Sequence, residues 1–347
     1  MERIRGMLPR LYQRYHFFFD RLVPSLGLAL LFVLVSQATG VFSREWLWFI
    51  TAIILLVGLI VPIVGYVLFI LALAYPLYSI SIYVAALALS ILILFAFFVA
   101  RHLTALVLIL AVPLLISYRA IWVVPFLAGL WWAEWGGVLI GMGSALWLKI
   151  FAGMCGATPD LLQLGGQTLK THQLIDRFHT ANSLQTLLWL TEPLAPDSKT
   201  LLLHILEILG WGLAGYGVGL MRRRVESMSR PNLGLLMCIV VGCLGIVVGS
   251  LALPMALDLR EAFTWSTSLL SNFLIECGVS GVIAIGLYGI SRYLAHPVVV
   301  PIRSRIEPRH SIVQSAPEPA PQPWVRPQPP ARANEDEPTD IIMIDLD

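Results

Sequence analysis

The sequence contains little charge. Charged residues make up 13% of its 347 residues, against about 25% in an ordinary soluble domain. The 55 residues from Trp46 to Ala100 include no Asp, Glu, Lys, Arg or His. A transmembrane helix takes about 20 apolar residues, so this run must hold at least two crossings of a bilayer. The shortage of charge therefore excludes an ordinary soluble domain.

Cysteines and the common enzyme motifs are scarce as well. The four cysteines, Cys155, Cys238, Cys243 and Cys277, show neither CxxC nor zinc-ligand spacing, which argues against a disulfide framework or a metal site. HExxH, Walker A and GxSxG motifs are absent. We therefore expect no metal or other cofactor, no nucleic acid partner, and a non-enzymatic protein, with an intramembrane enzyme left open.

Apolar sequence is what the chain has in abundance. Hydrophobic residues make up 58% of it and the mean hydropathy is +0.80, so we predict an all-α integral membrane protein whose main partner is the lipid bilayer. The apolar runs predict about ten transmembrane helices, at 22–42, 46–61, 62–79, 81–100, 103–118, 120–135, 137–156, 201–221, 233–253 and 266–294. Fusion of two pairs of short segments would leave eight. The first segment is interpreted as a signal anchor, with a cleaved signal peptide as the alternative.

Charge and composition divide the chain into five regions. They are a basic interfacial N-terminus (1–21), an N-terminal transmembrane bundle (22–156), an amphipathic insertion (157–199), a three-helix transmembrane unit (200–295) and a Pro-rich tail (296–347). The run Arg222-Arg223-Arg224 and the arginines near both ends indicate cytoplasmic segments by the positive-inside rule. We expect both termini in the cytoplasm, the insertion on the other side, and a bacterial inner (plasma) membrane as the location.

The insertion carries helix-start signals. Thr158 is a predicted N-cap, since Pro159 follows it at the first helical position ahead of a leucine-rich segment. Asn182 and Ser183 are predicted to cap a second short helix, Leu184 to Leu190. These segments are typical of amphipathic helices on a membrane surface. A plain loop is the alternative.

Four ionisable residues lie away from the ends of predicted transmembrane helices: Lys149, His204, Glu207 and Glu276. Each costs a few kcal/mol in a bilayer unless it has a partner or a function. Lys149 and Glu207 both lie about 10 Å from the outer helix ends, at 1.5 Å per residue, and Glu276 lies somewhat deeper in another helix. The four side chains could therefore share a level in the outer half of the bundle. His204 shares a helix face with Glu207. One hypothesis is a polar cavity, open to the outside, that binds a small solute or couples proton movement. The other is that Lys149 pairs with one of the two glutamates and holds the bundle together.

Glycine spacing predicts close helix contacts. Three small-x3-small motifs are present, Gly137-x3-Gly141, Gly215-x3-Gly219 and Gly245-x3-Gly249, a pattern that lets membrane helices approach closely. We expect close packing within the monomer, with dimerisation or a ligand groove as alternatives. The string from Val124 to Gly137, VPFLAGLWWAEWGG, resembles the proline-to-glycine turn of substrate-binding subunits in energy-coupling-factor vitamin transporters. The resemblance covers fewer than twenty residues and implies no binding residue, but it makes transport the alternative function.

The tail predicts a docking peptide. Ten prolines among residues 301–338 indicate an extended, disordered segment. In the acidic end of the tail, Ile342 is the third residue after Thr339, which resembles the phosphothreonine peptides read by forkhead-associated domains. An unmodified acidic tail is the alternative. We therefore expect a sensor or scaffold whose tail docks a cytosolic protein, or alternatively a small-solute transporter or transporter substrate-binding subunit.

Overall fold

The computed structural model describes residues 2–99, 102–164, 169, 171–225, 231–259 and 267–295. Throughout these residues the regular secondary structure is helical. The helices are α1 (Glu2–Thr39), α2 (Arg44–Ile60), α3 (Pro62–Ile80), α4 (Ile82–Val99), α5 (Leu103–Ile116), α6 (Val123–Met154), α7 (Leu161–Leu164), α8 (Thr171–Phe178), α9 (Ser183–Thr191), α10 (Ser198–Val225), α11 (Pro231–Val247), α12 (Leu253–Ala256) and α13 (Thr267–Ala295). A π-helical turn, Val248–Ala252, joins α11 to α12.

Six of the described helices are long and apolar enough to cross a membrane: Arg14–Thr39, Pro62–Ile80, Val123–Met154, Ser198–Val225, Leu233–Ala256 and Ser271–Ala295. Shorter apolar helices occupy Ile82–Leu94 and Leu103–Ile116. Large apolar side chains face outward on these helices, with Leu139 72% and Val282 73% exposed. An apolar exterior of this kind requires a lipid solvent. The prediction of an all-α membrane protein is therefore confirmed.

Most helices begin and end within a few residues of their predicted positions, and the differences are local. The basic N-terminal segment is part of α1, which has a kink at Tyr15. The predicted helices 120–135 and 137–156 form α6, which is broken at Ala133. The predicted break near Gly136 is thus displaced by three residues, onto a non-glycine residue with φ of 58°.

The chain reverses direction at two single residues, Val61 and Ala133. A Cβ added to Gly65 would lie 2.5 Å from the Gly58 Cα, although seven residues span about 10 Å in a straight helix. The chain therefore folds back between α2 and α3, at Val61. Across Ala133, a Cβ on Gly137 would lie 3.1 Å from the Gly129 Cα. In the same way α6 folds back on itself, and its two segments are Val123–Trp132 and Glu134–Met154.

Among the described residues, two of the three apolar cores are the largest. One lies among α1, α2, α3 and α5, and includes Phe32, Ile54 and Phe69. The other joins α6 to α10, α11 and α13, and is centred on Trp122 and Trp211, whose ring centroids lie 5.3 Å apart. The most extensive contact in the described structure is the one between α6 and α10.

The insertion forms three short helices, α7 to α9. Asn182 caps α9 as predicted, in a capping box with Gln185. The predicted cap at Thr158 is wrong, because the Leu162 N–H donates to the Asp160 carboxylate, at 3.0 Å. A third cap starts α10, where the Thr200 N–H donates to Asp197 at 2.6 Å. That hydrogen bond holds the pKa of the Asp197 carboxyl below its usual value.

Candidate functional site

The site is built on the glycine-lined contact between α6 and α10. A Cβ on Gly137 would lie 2.5 Å from the Gly215 carbonyl oxygen, and one on Gly141 would lie 2.6 Å from the Trp211 carbonyl oxygen. Such distances leave no room for any larger residue. The two helices run antiparallel here and touch backbone to backbone, as the small-x3-small motifs predicted.

One end of this contact holds a buried lysine. The Lys149 amine donates to the Pro159 carbonyl at 2.7 Å, contacts His204 Nδ1 at 2.8 Å, and forms an ion pair with Glu207. Lys149 and Glu207 are 0% exposed and His204 is 4% exposed. We call these three side chains, with the Pro159 carbonyl, the lysine cluster.

The local sequence positions each member of the lysine cluster. Lys149 lies in the last two turns of α6, which ends at Met154 and is followed by Gly156 with φ of 72°. The Ala157 N–H then bonds to the Ala152 carbonyl at 2.9 Å, a glycine-terminated C-cap that turns the chain back over the helix end. This turn delivers the Pro159 carbonyl. On α10, the i, i+3 spacing of His204 and Glu207 sets both on the face toward α6.

The hydrogen bonds assign protonation states. A lysine ammonium has three N–H donors and no acceptor, and the cluster supplies three acceptors: Pro159 O, His204 Nδ1 and Glu207 Oε2. His204 Nδ1 must accept, so the imidazole is neutral and its proton sits on Nε2. Within the described residues, the buried Nε2 has no hydrogen-bond partner. The cluster therefore contains one cation, one carboxylate and one neutral imidazole.

Glu276 does not join the lysine cluster. It lies on α13 and is 3% exposed, next to the Trp122 indole and in the electrostatic field of Arg119. Of the four residues predicted to share a level, the structure brings three together and places the fourth at a separate position. Counting residues from a helix end gives depth, but it does not give the direction in which a side chain points.

The other end of the α6–α10 contact holds a second charged group that the sequence analysis missed. Arg223 Nε lies 2.8 Å from Glu134 Oε1. Arg222 donates to the Leu130 carbonyl at 2.5 Å and stacks over Tyr288 at 5.8 Å. We call this group the arginine cluster.

The break in α6 explains the arginine cluster. A reversal at Ala133 interrupts the hydrogen bonds of the helix and leaves carbonyls at the end of its first segment without helical partners. Arg222 caps one of these carbonyls. Gly219 lies directly against the break, because a Cβ there would be 2.5 Å from the Ala133 carbonyl carbon. The sequence did contain an indication of this group. Glu134 is an acidic residue in an apolar run, and the three consecutive arginines at 222–224 offer the opposite charge.

No metal-ligating group of three or more His, Cys, Asp or Glu side chains occurs in the described part of the chain. The predicted tail residues Thr339 and Ile342 lie outside the described residues. Fold and clusters together define an all-helical membrane protein with an ion-paired interior. No protein-family model, curated protein or solved structure matches the chain.

Proposed function

We propose that the protein is a non-enzymatic membrane scaffold or sensor. Its helical bundle lies in the bacterial inner membrane, and its C-terminal tail docks a cytosolic partner. The observation that carries the proposal is the closure of the lysine cluster. Each N–H of Lys149 is used by a group of the same chain, and the helices around it meet at glycine backbones. This arrangement favours a rigid bundle over a cavity for a solute.

We further propose ten crossings with both termini in the cytoplasm. Support comes from the chain reversals at Val61 and Ala133, which separate further helical segments from the six long helices. The Tyr66 hydroxyl also donates to the Leu92 carbonyl at 2.7 Å, so α4 runs back along α3. Cysteines introduced singly at Ser43 and Asp258 should react with an impermeant thiol reagent from outside intact cells. Labelling of either position only after lysis would contradict this orientation.

Docking by the tail is tested by truncation. A protein ending at Arg309 should keep the thermal stability of the full chain and lose its cytosolic partner in crosslinking from intact cells. Thr339→Ala should lose the same partner if phosphothreonine is the recognised group. Ser315→Ala, elsewhere in the tail, is the matched control and should keep the partner. Retention of all crosslinked proteins by the truncated chain would contradict docking by the tail.

A small-solute transporter is the second candidate, and irregular helices favour it. α6 is broken at Ala133, and the π-helical turn Val248–Ala252 lies against α10. Broken membrane helices and π-helical turns are common at binding sites. If solute uptake persists in the protein ending at Arg309 and is lost in a folded Lys149→Met/Glu207→Met variant, the bundle carries the function. Uptake that depends on neither change would exclude the lysine cluster as a transport site.

A further inference from the structure

Glu276 differs from the other buried carboxylates of the bundle. Glu207 pairs with Lys149, and Glu134 lies 2.8 Å from the Arg223 guanidinium. Glu276 is 3% exposed, and it forms no ion pair with any residue that the structure describes. A buried carboxyl group in a membrane helix without a cation at contact distance requires another way of neutralising its charge.

Unsatisfied hydrogen-bonding groups surround this carboxyl group. The Trp122 indole lies beside it, and that ring contacts Phe273, one turn before Glu276, with centroids 5.8 Å apart. Ser280 follows Glu276 by four residues, on the same face of α13, and is fully buried. Neither the Trp122 N–H nor the Ser280 hydroxyl has a hydrogen-bond partner of normal geometry within the described ranges.

The charged and titratable groups on the neighbouring elements leave Glu276 without a fixed counter-ion. α13 contacts α1, α6, α7 and α11. The last ionisable residue of α1 is Arg21, and α7 has none. α11 contributes the Cys238 and Cys243 thiols, the second of which contacts Cys277. α6 contributes Glu134 and Lys149, which are paired with residues of α10. Arg119, ahead of α6, is the cation whose field reaches Glu276, and its own side chain is exposed.

We propose that Glu276 is a proton-binding site in the membrane bundle, distinct from the lysine cluster. An isolated carboxylate costs far more in an apolar medium than its protonated form, so the group takes up a proton and becomes neutral. The protonated carboxyl group then needs no counter-ion. It offers an O–H donor and a carbonyl acceptor beside the Trp122 indole and on the helix face that carries Ser280. The field of the exposed Arg119 favours the ionised form, so the proton is exchangeable.

Dicyclohexylcarbodiimide tests the proposal in the purified full-length protein. The reagent is apolar and reacts with protonated carboxyl groups. The carboxyl oxygen adds to the central carbon and the proton goes to one nitrogen, giving an O-acylisourea that rearranges by acyl transfer to a stable N-acylurea. Peptide mass spectrometry should find this adduct on Glu276 at neutral pH, with at least tenfold less on Glu207, whose charge is paired with Lys149. Labelling of Glu276 should fall as the pH is raised.

Two outcomes would overturn the proposal. One is an unlabelled Glu276 from mildly acidic to neutral pH in a sample whose other carboxyl groups react. The other concerns Glu276→Gln, in which a neutral amide replaces the carboxyl group. We expect this variant to melt within a few degrees of the parent, because the parent side chain is already neutral. Destabilisation of Glu276→Gln as large as that of Glu207→Gln would show that Glu276 is ionised and paired. Neither result bears on docking by the tail.

Discussion

The lysine and arginine clusters join the same two helices at opposite ends, yet their surroundings differ. Lys149 and Glu134 are separated on α6 by about 22 Å at 1.5 Å per residue. In the lysine cluster both ion-pair partners are 0% exposed, whereas Arg223 of the arginine cluster is 71% exposed and its partner Glu134 is 7% exposed. The chemistry of the two pairs is similar. The two pairs differ in solvent exposure, because only the Lys149–Glu207 pair is buried on both sides.

The difference predicts how each cluster responds to the loss of a partner. A buried charge left alone keeps its full desolvation penalty, because no water can replace the missing ion. An exposed arginine already has water as an alternative partner, so its ion pair adds at most about 1 kcal/mol. We therefore expect the lysine cluster to be essential for the stability of the bundle. The arginine cluster should add only a small stabilisation near the helix break at Ala133.

The largest effect is expected from Lys149→Met. It leaves the Glu207 carboxylate buried without its cation, which should lower the free energy of unfolding by about 3–5 kcal/mol. Denaturant unfolding in detergent micelles measures this loss. Lys199→Met is the matched control, because Lys199 lies exposed at the start of α10. Equal loss in the two variants would remove the distinction between buried and exposed charge.

Gly215→Ala tests the helix contact between the clusters. A Cβ at this position would collide with the Gly137 carbonyl group, and overpacking of this kind costs about 1–3 kcal/mol. Gly278→Ala on α13 is the control, since a Cβ there meets no atom within 4 Å. The control should unfold at the same or a slightly higher denaturant concentration. An unchanged midpoint for Gly215→Ala would mean that α6 and α10 separate easily.

Arg222→Met probes the partly buried member of the arginine cluster. It removes the donor to the Leu130 carbonyl, and we expect a loss of about 1–2 kcal/mol, in the range for hydrogen bonds of charged groups. Arg292→Met, at the exposed end of α13, provides the comparison. A loss for Arg222→Met as large as for Lys149→Met would make the two clusters equivalent.

The smallest effect is expected from Arg223→Ala. Arg223 is 71% exposed although its partner Glu134 is buried. We therefore expect a loss of about 1 kcal/mol, which shrinks as salt screens the solvent-exposed charge. Unfolding at low and high salt measures both features. A salt-independent loss above this range would show that the pair is buried more deeply than its exposure indicates.

Sequence reasoning found the lysine cluster because depth can be counted along a helix. Lys149 and Glu207 were predicted at the same level, and the i, i+3 spacing linked His204 to Glu207. The same count placed Glu276 near that level but missed its neighbours, since rotation about a helix axis depends on which faces pack together. Here Trp122, which packs against Trp211 of α10, lies beside Glu276.

The arginine cluster escaped sequence reasoning for a different reason. Its existence depends on the break at Ala133, and alanine is among the residues least expected to leave a helical conformation. Tertiary contact decides that position, because Gly219 of α10 gives the break room and Arg222 caps the freed carbonyl. Gly136 and Gly137 indicated that the helix breaks in this region, but they did not indicate that the break falls at Ala133.

Paired double-mutant cycles test most directly whether the buried ion pair of the lysine cluster stabilises the contact between α6 and α10. One cycle uses Lys149→Met, Glu207→Met and their combination. The other uses Glu134→Ala, Arg223→Ala and their combination, in the same detergent and salt. We predict a coupling energy of about 3 kcal/mol or more for the first cycle, because the double variant no longer buries a lone charge, and less than about 1 kcal/mol for the second. Equal coupling energies in the two cycles would contradict the claim.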